Sequence, residues 1–258
     1  MEKVRRELFD FAYFNAYDTA IHFLSTLAAK EPWDFEDEVA EHHTILRNYL
    51  EHTFRRVKAE GKICYTADNL YACFDTGLFT QSLEPIYAFF SKNRIPGKSP
   101  YFFTAFLKRS DNQMLYHFHD AYPVRANYFE HPEELIFNPN SELIFQVDHI
   151  IKENKERFPR NFQNLPNEEI MRRFEGAVEE CKKRVWTNYT LAVPQFYEGK
   201  IQLLLPLNLT FSSSNPDLAL AVSRVSDKTY TARTCLTLKM AYNNARLIIK
   251  PQSSWLHP

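Results

Sequence analysis

The sequence predicts an α+β fold in which several helices accompany a largely antiparallel sheet. Apolar residues recur at helical spacing in an N-terminal pair, a mid-chain pair and one C-terminal segment. Between these segments lie short runs rich in Tyr, Phe and Ile, bounded by turn residues, which is typical of strands. No repeat, linker or composition break divides the chain, so we predict a single domain over residues 1–258.

Residues 1–60 are predicted to be the helical N-terminal part. Apolar spacing indicates one helix over 4–30, which Pro32 ends, and a second over about 35–60. The second begins with three acidic residues and ends with basic residues before Gly61. That polarity complements the helix dipole and therefore favours a helix.

Residues 61–137 are predicted to form strands. The clearest pair is 101–108 and 114–118, which flank a polar turn at 109–113 and so predict a hairpin. The segment 91–100 is basic and rich in turn residues, and we predict that it is a mobile rim.

The third part, residues 142–188, is predicted to be a helical pair over 142–157 and 167–188. Residues 190–258 complete the chain with four strands and a closing helix over about 237–248. These four parts fit the single α+β domain proposed above.

Charge and composition exclude several classes of protein. The net charge is −1 and the isoelectric point is about 6.8, whereas proteins that coat nucleic acid are strongly basic. A local basic pocket for a nucleotide or an RNA end remains compatible with these values. The four cysteines lack zinc-like spacing, and no apolar run is long enough for a bilayer, so we expect a cytoplasmic protein without a membrane partner.

The triplet Asp75, Thr76 and Gly77 follows a predicted buried strand over 70–74. Polar residues at a strand end, with a glycine that permits close backbone approach, are typical of a binding site. The alternative is a turn in which the aspartate bonds to the backbone. Both interpretations are open at this stage.

Two pairs of residues suggest chemistry that involves histidine. His117 and His119 would share one face of the predicted strand, which could hold a divalent metal if a third ligand approached; an exposed strand end is the alternative. Asp148 and His149 lie in a predicted helix and are the candidate acid–base residues, against the alternative of ordinary ion pairs on a helix face.

Amides and one arginine interrupt the apolar C-terminal segments. Asn243, Asn244 and Arg246 lie within little more than one helical turn, and such groups suit a phosphate or a base edge. They could equally satisfy buried backbone carbonyls. Gln195 and Asn208 lie on the late strands and are predicted to line the same cleft.

Seven short segments, in this order, resemble a bacterial domain-of-unknown-function family, number 3825. Their letters are ILRNYL, FDTGL, EPIY, DHI, LLLPL, DLALAV and AYNNARL, at residues 45–50, 74–78, 84–87, 148–150, 203–207, 217–222 and 241–247. The resemblance covers about residues 20–255. It implies an RNA-linked role, because members of the family are often joined to cold-shock or LOTUS-type (OST-HTH) RNA-binding domains. Asp75 departs from the asparagine expected in the second motif, which favours a binding role over carboxylate chemistry.

Together these observations predict a domain that binds RNA or a nucleotide, either directly or through a separate RNA-binding protein. It could also hydrolyse or transfer a phosphate bond, which would make it a phosphohydrolase or phosphodiesterase. No cofactor is predicted, and a divalent metal remains an open alternative. The other two hypotheses are a non-catalytic interaction or sensor module and a metal-dependent nuclease. Phosphate-binding Gly-rich loops, nucleophile elbows and HExxH motifs do not occur in the sequence.

Overall fold

The computed structural model describes residues 7–38, 41–210 and 215–258, and within them it confirms the α+β class. These residues contain eight α-helices and two five-stranded sheets. The chain divides into two compact units, Met1–Asn127 and Tyr128–Pro258, each with one sheet. The sequence had predicted one sheet, because strand patterns carry no mark of which sheet a strand joins. The prediction of a single domain stays a prediction.

The first unit begins with three helices: α1 (Glu7–Phe11), α2 (Tyr17–Leu27) and α3 (Thr44–Ala59). The predicted helix over 4–30 is thus two helices separated by strand β1 (Ala12–Tyr13), and its residues 4–6 lie outside the described part. The predicted helix over 35–60 begins only at Thr44. The carboxylate of Asp34 accepts backbone N–H groups from Glu41, His43 and Thr44, so the acidic segment before α3 is a side-chain-stabilised loop. Residues 39–40 of that predicted helix are outside the described residues.

The first sheet has the order β1-β5-β4-β3-β2. Its remaining strands are β2 (Cys64–Tyr65), β3 (Tyr71–Phe79), β4 (Pro85–Lys92) and β5 (Tyr101–Lys108). All neighbours are antiparallel except β1 and β5, which are parallel. Phe74 and Phe90 stack at 5.8 Å on the face that meets Phe54 of α3, so large aromatic rings form this core.

The predicted strand over 114–118 is wrong, because these residues belong to helix α4 (Asn112–Phe118). Met114 and Phe118 are buried, whereas Tyr116 between them is 79% exposed. A strand would turn all three to the same face, while a helix separates the middle one from the other two. Asp111 accepts the N–H of Lys108 at 2.7 Å, which stabilises the turn between β5 and the helix.

The second sheet has the order β6-β10-β9-β8-β7. Its strands are β6 (Glu142–Phe145), β7 (Val193–Tyr197), β8 (Lys200–Leu207), β9 (Leu218–Ser226) and β10 (Thr229–Leu236). The pairs are antiparallel except β6 with β10. The prediction of helix from residue 142 is therefore wrong for its first turn. Leu143 is buried and Ile144 is 48% exposed, so burial alternates there with the period of a strand.

Four helices complete the second unit: α5 (Val147–Asn154), α6 (Arg160–Gln163), α7 (Asn167–Thr187) and α8 (Leu238–Arg246). The helices α5 and α7 share an apolar cluster with the odd-numbered leucines 203–207 of β8. The even-numbered positions of β8 face the opposite side, where α8 packs. Among the described residues, every helix is too short or too polar to cross a membrane.

Candidate functional site

The triplet Asp75–Gly77 lies inside β3 and interrupts its pairing with β4, instead of following the end of a strand as predicted. Gly77 has φ of +74°, and its N–H donates to Asp75 Oδ1 at 2.7 Å. The Thr76 hydroxyl donates to the carbonyl of Ile86 at 2.7 Å. The aspartate bonds to the backbone two residues ahead, as the turn interpretation expects. The triplet therefore forms a bulge whose polar groups are satisfied locally.

Two side chains approach the other face of this bulge. Tyr49 of α3 donates to the carbonyl of Thr76 at 2.9 Å, and Arg125 donates to the carbonyl of Gly77 at 3.2 Å. Burial raises the pKa of the Asp75 carboxyl, and the N–H of Gly77 and the charge of Arg125 oppose that rise. The arrangement holds a partly desolvated carboxylate in a fixed position.

In the second unit, four polar side chains form one chain of hydrogen bonds. Asn244 Nδ2 donates to Gln195 Oε1 at 3.0 Å, and Gln195 Nε2 donates to Gln202 Oε1 at 2.8 Å. Gln202 Nε2 then donates to Ser223 Oγ at 2.9 Å. Two predicted binding residues, Gln195 and Asn244, are thus brought together. The sequence analysis missed Gln202 and Ser223. Gln202 is the cross-strand partner of Gln195, so it becomes recognisable once the pairing of β7 with β8 is known.

The other predicted binding residues of the second unit lie at the end of β8 and on α8. Asn208 follows the end of β8 and accepts a bond from Arg184 of α7 at 3.2 Å. Arg246 ends α8 with only 6% of its surface exposed, and Asn243 is half-buried on the same helix. Asn243 and Arg246 thus share α8 with Asn244, as their spacing predicts.

The candidate acid–base residues lie on the surface of α5. His149 Nε2 is 3.3 Å from Glu153 Oε2, one helical turn further on, and Asp148 is exposed. This arrangement is the helix-face ion pair that the alternative interpretation expects. A general base usually lies in an enclosed environment that tunes its pKa. His149 lies on the helix surface, where such an environment is lacking.

The two histidines proposed as metal ligands do not share a strand face. His117 lies in α4, and its ring centroid is 4.0 Å from that of Tyr71. His119 follows the helix and contacts Asp120 at 3.1 Å. Across the described ranges no group of three or more histidine, cysteine, aspartate or glutamate side chains is placed to hold a metal ion.

A groove of about 350 Å³ opens on the first sheet, at the end of β4. Its lining combines aromatic, basic and small polar residues: Leu70, Tyr71, Ser91, Lys92, Asn93, Arg94, Ile95 and Phe102. Ser91 is the cross-strand partner of both Tyr71 and Phe102, so a small side chain lies between two rings. The sequence analysis identified the basic segment here but missed the rings. The sequence alone carried no signal for them, because only the pairing of the strands brings the two rings to the same register.

The rim of this groove is positively charged. From residue 91 to 98 the sequence contains Lys92, Arg94 and Lys98 and no acidic residue. Lys92 Nζ lies 5.4 Å from the ring centroid of Tyr101, and Lys98 Nζ lies 4.9 Å from that of Tyr13. Lys92 and Arg94 line the groove together with the rings of Tyr71 and Phe102, and this combination favours a ligand that carries both negative charge and a planar ring.

The chain is therefore an α+β protein with two five-stranded sheets and a basic, aromatic groove on the first. It belongs to the family described as Domain of unknown function (DUF3825), which matches residues 24–255. No curated protein and no solved structure matches the chain.

Proposed function

We propose that this protein binds RNA or a nucleotide in the groove of the first sheet. The observation that carries the proposal is the meeting of two half-buried rings, Tyr71 and Phe102, with the exposed cations Lys92 and Arg94 around one 350 Å³ groove. A nucleotide offers the complementary pair of features, a planar base and a phosphate. Arginine and lysine bind phosphate, and aromatic rings stack on bases, each stack contributing about 1–3 kcal/mol.

A local groove also agrees with the charge of the whole chain. With a net charge of −1, broad electrostatic attraction to a polyanion is weak, so binding would depend on a few close contacts. Two or three phosphate contacts on a single strand give a slope of roughly −1.4 to −2.1 for log K against log salt. The RNA-linked role implied by the family resemblance supports the same conclusion.

The test is a binding titration by fluorescence anisotropy with a labelled RNA hexamer, followed by competition with mononucleotides. Lys92→Ala combined with Arg94→Ala should weaken binding by at least tenfold and reduce the magnitude of the salt slope by about 0.7 for each phosphate contact that is lost. The matched control combines Lys183→Ala and Arg172→Ala, two exposed cations of α7, and should bind as the unaltered protein does. Equal affinity in the two double variants would contradict the proposal.

Hydrolysis or transfer of a phosphate bond is the further part of this hypothesis. It depends on a general acid or base, and His149 is the candidate that the sequence supplied. Incubation of the protein with nucleotides and short RNAs, with and without Mg²⁺, should be followed by chromatography of the products. Product formation that survives His149→Gln would exclude this residue from the chemistry, and no turnover would leave a binding protein.

A non-catalytic interaction or sensor module is the second candidate, and one observation favours it. The chain from Asn244 through Gln195 to Ser223 uses predicted binding groups as partners of one another. Amides engaged in this way stabilise the unit and are not directed at a ligand. Under this hypothesis, neither RNA nor nucleotides bind, and substitutions along the chain change stability alone.

A further inference from the structure

Four strands of the first sheet place a row of side chains side by side. Tyr71 of β3 is opposite Ser91 of β4, Ser91 is opposite Phe102 of β5, and Phe102 is opposite Tyr13 of β1. Residues that pair in register lie on the same face of a sheet. Across the open end of the groove, the row therefore contains an aromatic ring, a serine hydroxyl and two further aromatic rings, in that order.

The serine leaves a gap of defined width in this row. Adjacent strands lie about 4.8 Å apart, so Tyr71 and Phe102, two strands apart, are separated by roughly 10 Å at the backbone. Carbon atoms in contact lie about 3.5–4.0 Å apart. One aromatic plane in contact with a ring on each side needs about 7–8 Å between the two rings. The backbone separation of roughly 10 Å leaves room for such a plane if the two rings lean slightly towards each other, because Ser91 fills only the floor.

Each wall of the gap contacts another ring of the protein. The ring of His117 lies 4.0 Å from that of Tyr71, and the ring of Tyr13 lies 6.0 Å from that of Phe102. At the floor, Thr104 donates a hydrogen bond to Ser91 at 3.3 Å. These contacts hold the rings in place without a ligand, so little entropy is lost when a base enters.

The basic segment beside the gap is also held in position. Asn93 Oδ1 accepts the N–H of Ile95 at 3.0 Å, and Asn93 Nδ2 donates to the carbonyl of Ser99 at 2.8 Å. Arg94, between Asn93 and Ile95, is thereby fixed at its backbone while its side chain stays exposed. Asp68 precedes Tyr71 by three residues, and its carboxylate accepts a hydrogen bond from the Thr66 hydroxyl at 2.6 Å.

We propose that the groove admits one unpaired base between Tyr71 and Phe102, with the attached phosphate held by Arg94. The ligand class is thus single-stranded RNA or a free nucleotide, and not a duplex. This inference rests on the proposed function. In a duplex each base is already stacked and paired, and extracting it costs a few kcal/mol. The groove has room for a single ring and not for a base pair.

The experiment compares a labelled RNA hexamer, the same hexamer annealed to its complement, and the matching mononucleotide. The hexamer should bind at least tenfold more tightly than the duplex. Ser91→Phe fills the gap and should lower hexamer affinity at least tenfold, with Ser226→Phe, at an exposed strand end of the second unit, as the matched control. Phe102→Ala removes one wall and should also lower hexamer affinity at least tenfold, since one of the two stacking contacts is lost.

A second readout reports on the base itself. A hexamer with 2-aminopurine at one position should lose fluorescence when that base stacks between the two rings, and Phe102→Ala should restore the signal. Circular dichroism would establish that each variant is folded. Equal binding of hexamer and duplex, or full affinity of Ser91→Phe, would overturn the inference while leaving RNA binding intact. Failure of all three ligands to bind would instead overturn the proposed function. Competition by the mononucleotide distinguishes a free nucleotide from an RNA strand as the source of the base.

Discussion

The hydroxyl of Tyr49 donates to the carbonyl of Thr76 at 2.9 Å and occupies the space that a Cβ at residue 77 would need. A Cβ built on Gly77 lies 2.5 Å from Tyr49 Oη, and the φ of +74° disfavours any other residue there. The helix α3 therefore packs closely on the bulge in β3 because Tyr49 supplies a hydroxyl there and Gly77 has no side chain.

Gly77→Ala should therefore destabilise the protein by about 2–4 kcal/mol, since it adds backbone strain and a steric clash. Tyr49→Phe should cost about 1–2 kcal/mol, because it leaves a buried carbonyl without a donor. In the double variant the clash is absent, so its cost should be smaller than the sum of the two by at least about 1 kcal/mol. Urea unfolding of the four proteins measures this coupling, and simple additivity would refute the steric explanation.

Asp75→Asn should stabilise the protein at neutral pH. Burial raises the pKa of Asp75, so ionisation of this carboxyl opposes folding. Its stabilising contribution is complete below the ordinary carboxyl pKa and is lost as the pH rises through the raised folded value. The asparagine variant keeps an acceptor for the N–H of Gly77 and avoids that loss. Its advantage should vanish in thermal unfolding at acid pH; an advantage that is constant with pH would contradict this account.

His52 should produce a slope of stability against pH. Burial, and then the charges of Arg55 and Arg56, lower the pKa of His52 from 6.5 to about 4. The unfolded chain therefore takes up a proton before the folded one does, so stability decreases as the pH falls from about 6.5 towards 4, by at most about 3 kcal/mol. His52→Gln should flatten this part of the curve, as measured by urea unfolding at each pH.

Gln195→Ala should reduce stability by about 2–3 kcal/mol, because it removes a buried amide, 1% exposed, between two partners. Affinity for the RNA hexamer should stay within a factor of two. Thermal unfolding and anisotropy on the same sample separate the two effects. A stable variant that no longer binds RNA would instead show that this amide contacts the ligand. The binding site would then include the residues predicted from sequence.

The sequence predicted helices and strands well where one spacing of apolar residues continued over a long segment. It predicted them poorly where a short element interrupted that spacing. The helix α7 and the strands β7 to β10 follow long apolar patterns, and the sequence predicted them. Helix α4 was missed because seven residues offer only two turns, and its aromatic residues also suit a strand. The four residues of β6 were predicted to be the start of the helix that contains α5. The reason is related, since Leu143 and Val147 also satisfy helical spacing.

The candidate site was harder to predict than the fold, for a topological reason. Asn244 and Gln195 were identified because amides are unusual within apolar segments. Tyr71, Ser91 and Phe102 are ordinary in strands, and their significance arises only from a register that joins three strands. Pairing between strands depends on tertiary packing, so a single sequence does not reveal which serine lies between two rings.

The two-residue strands at the borders of the first sheet have one more consequence. β1 covers only Tyr101 and Phe102 of β5, and β2 covers only Cys73 and Ala72 of β3. Short border strands limit the length of backbone that another chain could extend, which protects a sheet against aggregation. Residues 12–13 lie before the region that matches the family. Loss of residues 12–13 would leave Tyr101 and Phe102 of β5 without their strand partner, and we expect an unpaired strand of this kind to promote aggregation.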